Sequence, residues 1–142
     1  MIALGCDHGG YELKQEIIKY LKDHELDYKD FGTYSTESCD YPDYAQAVAK
    51  AILSGECQRG ILICGTGIGI SIAANKVKGV RCALCTSVQM AEMTRKHNDA
   101  NILAMGGRIT DTEAAKNITQ AWLDTEFEGG RHQRRVDMLN NM

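Results

Sequence analysis

Short apolar runs and amphipathic helical stretches alternate from one end of this chain to the other, and that alternation constrains the fold more than any other feature. Strands that alternate with helices pair in parallel and need both faces of the sheet covered, which predicts an α/β domain. Strands are expected at Ile2–Cys6, Asp27–Phe31, Gly60–Cys64, Val80–Cys85 and Asn101–Met105. Helices are expected from Tyr11 to His24, with Leu13, Ile17 and Leu21 on one face, and from about Pro42, with Tyr44, Val48, Ala51 and Ile52. Three more follow: one beginning within the Gly65–Gly69 segment, one at Ser87–Lys96, and one from Asp111 to about Trp122. The tail from Glu128 to Met142 carries a glycine pair, an arginine cluster and a short amphipathic end. At 142 residues this is one domain's worth of chain, 1–142, with its tail, 128–142, expected to join the site.

Composition removes several function classes. Sixteen Lys and Arg against nineteen Asp and Glu give a net charge of -3, which offers phosphate backbones no general attraction, so no nucleic-acid partner is expected. No apolar run approaches the roughly 18 residues that span a bilayer, so no membrane partner is expected either. The opening MIALGCDHGG has no basic segment ahead of a long apolar stretch. A cytoplasmic location with reduced thiols is therefore expected for the six cysteines. Cys82 and Cys85 have the C-x-x-C spelling but fall within a strand, where residues three apart point to opposite faces. They read as buried small residues, and with no His pair at ligand spacing no metal and no cofactor are expected.

Ligands of open parallel sheets bind at the carboxyl edge of the strands, near the point where strand order reverses. Two turns there put reactive side chains beside glycines: Asp7-His8-Gly9-Gly10 after the first strand, and Cys64-Gly65-Thr66-Gly67-Ile68-Gly69 after the third. Alternate glycines let N–H groups face one point at a helix N-terminus, a cradle for an anion or for developing negative charge. Cys64, at the edge of that field, is either a base or nucleophile or a buried strand-end thiol. The loop lacks the G-x-G-x-x-G spacing of dinucleotide sites, and Ile70-Ser71 stands where a P-loop has Lys and Ser or Thr. Ile70 also occupies the place of the arginine of a cysteine-dependent phosphatase.

His97 joins the fourth helix to the fifth strand, at the amino edge of the sheet, away from the glycine turns. It either caps that helix or serves as acid or base in a neighbouring subunit's pocket, which would require a homodimer. Arg131, Arg134 and Arg135 form either a solvated run or, Arg134 apart, a phosphate clamp that Gly129-Gly130 folds toward a pocket. Arg108 follows the fifth strand at the carboxyl edge. A thiolate base, an N–H cradle, acid–base side chains and a phosphate clamp together suit proton transfer next to a carbonyl, through an enediolate.

Asp7-His8-Gly9-Gly10, Asp40-Tyr41-Pro42, Ile63 to Gly69 with Ser71 to Lys76, His97-Asn98-Asp99 with Asn101, and Gly129-Gly130-Arg131-His132 with Arg135-Val136 resemble type B ribose-5-phosphate isomerases, in order along essentially the whole chain. The resemblance implies a Rossmann-like three-layer α/β/α sandwich with a five-stranded parallel sheet. It also implies a homodimer or homotetramer with sites shared between subunits, and interconversion of ribose 5-phosphate and ribulose 5-phosphate without metal or nucleotide. It assigns Cys64 as the base, Thr66 and His97 to ring opening with Asp7 assisting, and His8, Arg108, Arg131 and Arg135 to the phosphate. Asn98 and Tyr41 become sugar contacts, and the backbone of Gly65, Thr66, Gly67, Ile68 and Gly69 holds the enediolate. Family relatives act on galactose 6-phosphate or allose 6-phosphate, and side activity on a six-carbon sugar stays open. One branch uses a Glu shortly after the Cys position, but Ile70 to Asn75 contain no acid. The rivals from other classes are a flavodoxin-like FMN-binding module and a cysteine hydrolase.

Overall fold

The computed structural model describes residues 1–142. Five parallel strands, β1 (Ile2–Cys6), β2 (Tyr28–Asp30), β3 (Arg59–Cys64), β4 (Cys82–Leu84) and β5 (Ile102–Gly106), form one sheet in the order β2-β1-β3-β5-β4. Six helices accompany them: α1 (Tyr11–Asp23), α2 (Tyr41–Leu53), α3 (Ile68–Asn75), α4 (Val88–Asn98), α5 (Thr112–Asp124) and α6 (Arg131–Asn140). The expected α/β sandwich and all five strands are present.

Strand alternation divides the interior between two cores. Leu4, Ile61, Ile63, Leu103 and Met105 face one, against Leu13, Ile17 and Leu21 of α1 and Ile118 and Trp122 of α5. Ala3, Leu62, Cys64, Ile102 and Ala104 face the other, against Ala45 and Val48 of α2 and Ile70 and Ala74 of α3. The C-x-x-C pair splits as its spacing implies, with Cys85 in the first core and Cys82 packed against the second. Pro42 sits in the first turn of α2, where its missing N–H is harmless.

The differences lie at the edges. β2 and β4 each have a neighbour on one side only and are shorter than expected, at three residues each. Val80 falls outside β4 because Gly79, at φ +92°, turns the chain there, and Arg81 gives its N–H to the Asn101 side chain. Gly129 and Gly130, both at positive φ, do not carry the arginines to the chain's own carboxyl-edge turns. They start α6, which packs on α4, buries Val136 and joins Arg81 at the start of β4 through Asn140.

Candidate active site

The chain leaves β1 toward β2 on one side and leaves β3 toward β4 on the other, so the switch point lies between the carboxyl ends of β1 and β3. The Asp7 and Cys64 turns face each other there. Asp7 is buried, and its carboxylate accepts the N–H groups of Gly9 (2.9 Å) and Gly10 (3.2 Å), closing a single 3-10 turn over His8–Gly10. Gly10 lies against the Ile63 carbonyl, so close that a Cβ there would fall 2.2 Å from the oxygen. The Cys39 N–H donates to His8 Nδ1 at 3.2 Å. A backbone N–H only donates, so Nδ1 carries the lone pair and Nε2 carries the proton, leaving His8 a neutral donor.

Cys64 ends β3 on the α3 side of the sheet, 5% exposed, and the Gly67 N–H donates to its sulfur at 3.2 Å. Gly67 has φ +80°, which suits glycine and turns the chain into α3. Thr66 is exposed, and its hydroxyl accepts the Ile68 N–H at 3.2 Å. The amides of Gly65, Thr66, Gly69 and Ile70 have no partner within the chain. They lie in the segment entering α3, where the helix dipole favours negative charge. The Tyr41 ring packs so tightly on Gly69 that a Cβ there would fall 2.7 Å from it, which brings Tyr41 to the same edge.

β5 supplies the third wall. Gly107 and Arg108 donate their N–H groups to the carbonyls of Cys64 and Gly65, and the Arg108 guanidinium lies over Gly65. His8, Gly9, Thr36, Gly107 and Arg108 line a cavity of about 260 Å³, large enough for a phosphate group. The His8 Nε2–H and the Arg108 guanidinium give that cavity two donors for an anion, beside the Glu12 carboxylate that also lines it.

Four of the expected residues stand elsewhere. His97 and Asn98 end α4 at the amino edge, and Arg131 and Arg135 lie exposed on α6 beside them. The depth of β3 separates them from Cys64 by about 17 Å, far beyond the roughly 3 Å reach of acid–base catalysis. The His97 ring stacks on His132 with centroids 4.3 Å apart, and its Nε2 lies 3.5 Å from Glu128 Oε1. This triad was not legible in the sequence, because its members meet only when the segment before α6 docks on the end of α4. Asn75 and Asn101 have a framework role, bonding to the backbone of Cys82 and of Gly79 and Arg81. The Arg134 side chain is exposed, as expected of a solvated residue.

The family model for the Ribose/Galactose Isomerase family matches residues 2–139. The chain belongs to that family. It is 51% identical over 138 residues to Ribose-5-phosphate isomerase B of Escherichia coli, covering 97% of this chain and 93% of that protein. A relative from Pectobacterium atrosepticum named D-erythrulose-4-phosphate isomerase is 45% identical over 139 residues, covering 97% of this chain and 91% of the relative. Among solved structures, Ribose-5-Phosphate Isomerase B of Clostridium thermocellum superposes with a TM-score of 0.97 at 56% identity, over 99% of this chain and 95% of that one. The ribose 5-phosphate isomerase of Thermotoga maritima superposes with a TM-score of 0.98 at 48% identity, over 99% and 97%. Membership in an isomerase family sets aside the flavin-binding and hydrolase alternatives. No helix of the chain is long and apolar enough to cross a membrane.

Proposed function

We propose that this ribose/galactose isomerase family member interconverts ribose 5-phosphate and ribulose 5-phosphate, with each site built from two copies of the chain. The observation that carries this reading is the division of the expected site residues between opposite edges of one sheet. Asp7, His8, Tyr41, Cys64 to Gly69 and Arg108 hold one half, and His97, Asn98, Arg131 and Arg135 hold the other. A second copy that brings its amino edge to this carboxyl edge completes both. Ile68 and Ile72 on α3 and Val88, Met90 and Met93 on α4 are apolar side chains left exposed on the helices flanking β4 in sequence, and they offer surface for that contact. The six free thiols fit a reducing cytoplasm.

In this reading the phosphate sits between His8 Nε2–H and Arg108, with Arg131 and Arg135 of a second copy closing over it. Thr66 and His97 exchange the protons that open the furanose ring, with Asp7 on the ring and hydroxyl atoms. Cys64, as thiolate, removes the C2 proton of the open aldose. The electron pair moves to the C1–C2 bond and the aldehyde oxygen becomes an oxyanion held by the free amides of the Gly65–Ile70 segment. The thiol returns the proton to C1 while the O2 proton is transferred to the O1 oxyanion, leaving the ketose with its C1 hydroxyl. No metal or nucleotide enters.

A coupled assay with ribose 5-phosphate, allose 6-phosphate and erythrulose 4-phosphate, run in deuterated water, tests the reading. The pentose should be turned over fastest and carry solvent deuterium at the exchanging carbon. Cys64→Ala should bind substrate and not isomerise it. Preference for the four- or six-carbon sugar, or turnover by Cys64→Ala, would refute it.

A further inference from the structure

We propose that His97, Glu128 and His132 form a binding site for a zinc-class divalent cation, and that filling it switches the isomerase off. The switch rests on the role given to His97 above; the site itself rests on geometry. The donor atoms of the three side chains lie within 4.8 Å of one another, and the His97 Nε2 to Glu128 Oε1 separation is 3.5 Å. Around a tetrahedral ion with bonds of about 2.0–2.1 Å, ligand atoms stand about 3.4 Å apart. The first pair is therefore already at coordination spacing, and His132, stacked on His97 with its donor atom within 4.8 Å of both partners, must turn its ring out of the stack to bring a lone pair onto the ion.

The backbone holds this arrangement. The Glu128 N–H donates to the Lys96 carbonyl at 3.2 Å, the Arg95 side chain donates to the Thr125 carbonyl at 3.2 Å, and the His132 N–H donates to the Gly129 carbonyl at 3.1 Å. The first two bonds pin the segment before α6 to the end of α4, and the third closes the first turn of α6 just past the glycine pair. His132 lies in the first turn of α6, just after two glycines at positive φ, and its ring reaches back over His97. Within one chain the His97 side chain is 33% exposed and that of Glu128 50%, so both are reachable by an ion at this edge.

Chemistry selects the class of ion. Two imidazoles and one carboxylate suit zinc and its neighbours in the first transition row, and are a poor set for calcium or magnesium, which take oxygen ligands. Burial and the neighbouring His97 hold the His132 pKa below the ordinary histidine value, with Arg131 and Arg135 adding to the effect. A coordinating imidazole must offer a lone pair, so the site fills where both rings are unprotonated. The same two arginines repel a cation, which sets the affinity below that of a structural zinc site. A bound ion takes the His97 lone pair, which a ring-opening acid or base needs to exchange protons.

The full-length protein titrated with Co²⁺ tests this. One ion per chain is expected, with visible d–d absorption, no sulfur-to-cobalt charge-transfer band, and displacement by Zn²⁺. Glu128→Gln and His132→Gln should each weaken binding by about tenfold or more. A thiolate band, or binding unchanged by both substitutions, would overturn the site. Stoichiometric Zn²⁺ should abolish isomerisation and a chelator should restore it. If Co²⁺ fills the nitrogen and oxygen site while turnover persists, the switch falls together with the His97 assignment, and the metal site stands.

Discussion

Lys14 should stabilise the whole carboxyl edge although it touches no substrate. Its side chain is fully buried; the ammonium donates to the Asp30 carboxylate at 2.7 Å and to the Thr33 carbonyl, with the rings of Tyr11 and Tyr34 within 6 Å. Asp30 also accepts the Gly32 N–H. Gly32 and Thr33 in turn bond to the Cys6 backbone, one residue before Asp7. Lys14→Met keeps the aliphatic stem and the helix propensity but leaves the carboxylate and the carbonyl without their cation. Breaking a fully buried pair costs about 3–5 kcal/mol. The Asp30 side chain keeps 21% exposure and its Gly32 bond, which lets water recover part of that. A loss of about 2–4 kcal/mol is therefore expected, equivalent to roughly 7–13 °C in Tm for a domain of this length. Urea unfolding at one fixed protein concentration measures it, and kcat should fall as the turn carrying Asp7 loosens. Adding Asp30→Asn should recover part of the loss, because the stranded charge is gone. A loss under about 1 kcal/mol, the size typical of an exposed ion pair, would refute this account of the buttress.

Arg135→Ala and Arg108→Ala should each raise KM by roughly 10- to 100-fold with kcat within a few-fold, because a phosphate contact acts alike in ground and transition states. Steady-state kinetics decide this, and a fall confined to kcat would remove the residue from the clamp. Burial pushes the thiols of Cys6 and Cys85 up to about 11 and raises those of Cys57 and Cys82, so iodoacetamide at pH 7 should spare all four. The fold keeps these protons where the unfolded chain releases them near pH 9. Their contribution is therefore fully present below about pH 9 and should be lost as pH rises toward 11, read as a falling urea midpoint.

The carboxyl-edge half of the site was legible because it depends on local chain: a strand end, a glycine turn and a helix start follow one another within a few residues at Asp7 and again at Cys64. The two cores followed from the period of two along β3, which sends Ile61 and Ile63 one way and Leu62 and Cys64 the other. What escaped depends on contacts between distant segments. Nothing near Lys14 marks it as buried, since a lysine on an amphipathic helix ordinarily reaches water, and its partners Asp30 and Thr33 come from the end of β2 and the loop after it. The donor that fixes the His8 tautomer comes from Cys39, in a loop without motif or periodicity. The glycine pair at 129–130 announces a turn into the arginine tail, but the docking of α6 on α4 through the apolar Val136, a contact between distant segments, decides at which edge of the sheet those arginines stand.

The central claim is that Cys64 of one copy works with His97 of another, and mixing two inactive variants tests it most directly. Cys64→Ala and His97→Asn should each be nearly inactive alone. Unfolded together at equal concentration and refolded, half of the dimers are hybrids, and each hybrid holds one site with both residues intact. The mixture should regain about a quarter of wild-type activity. A mixture that stays as inactive as its parents would contradict the shared site.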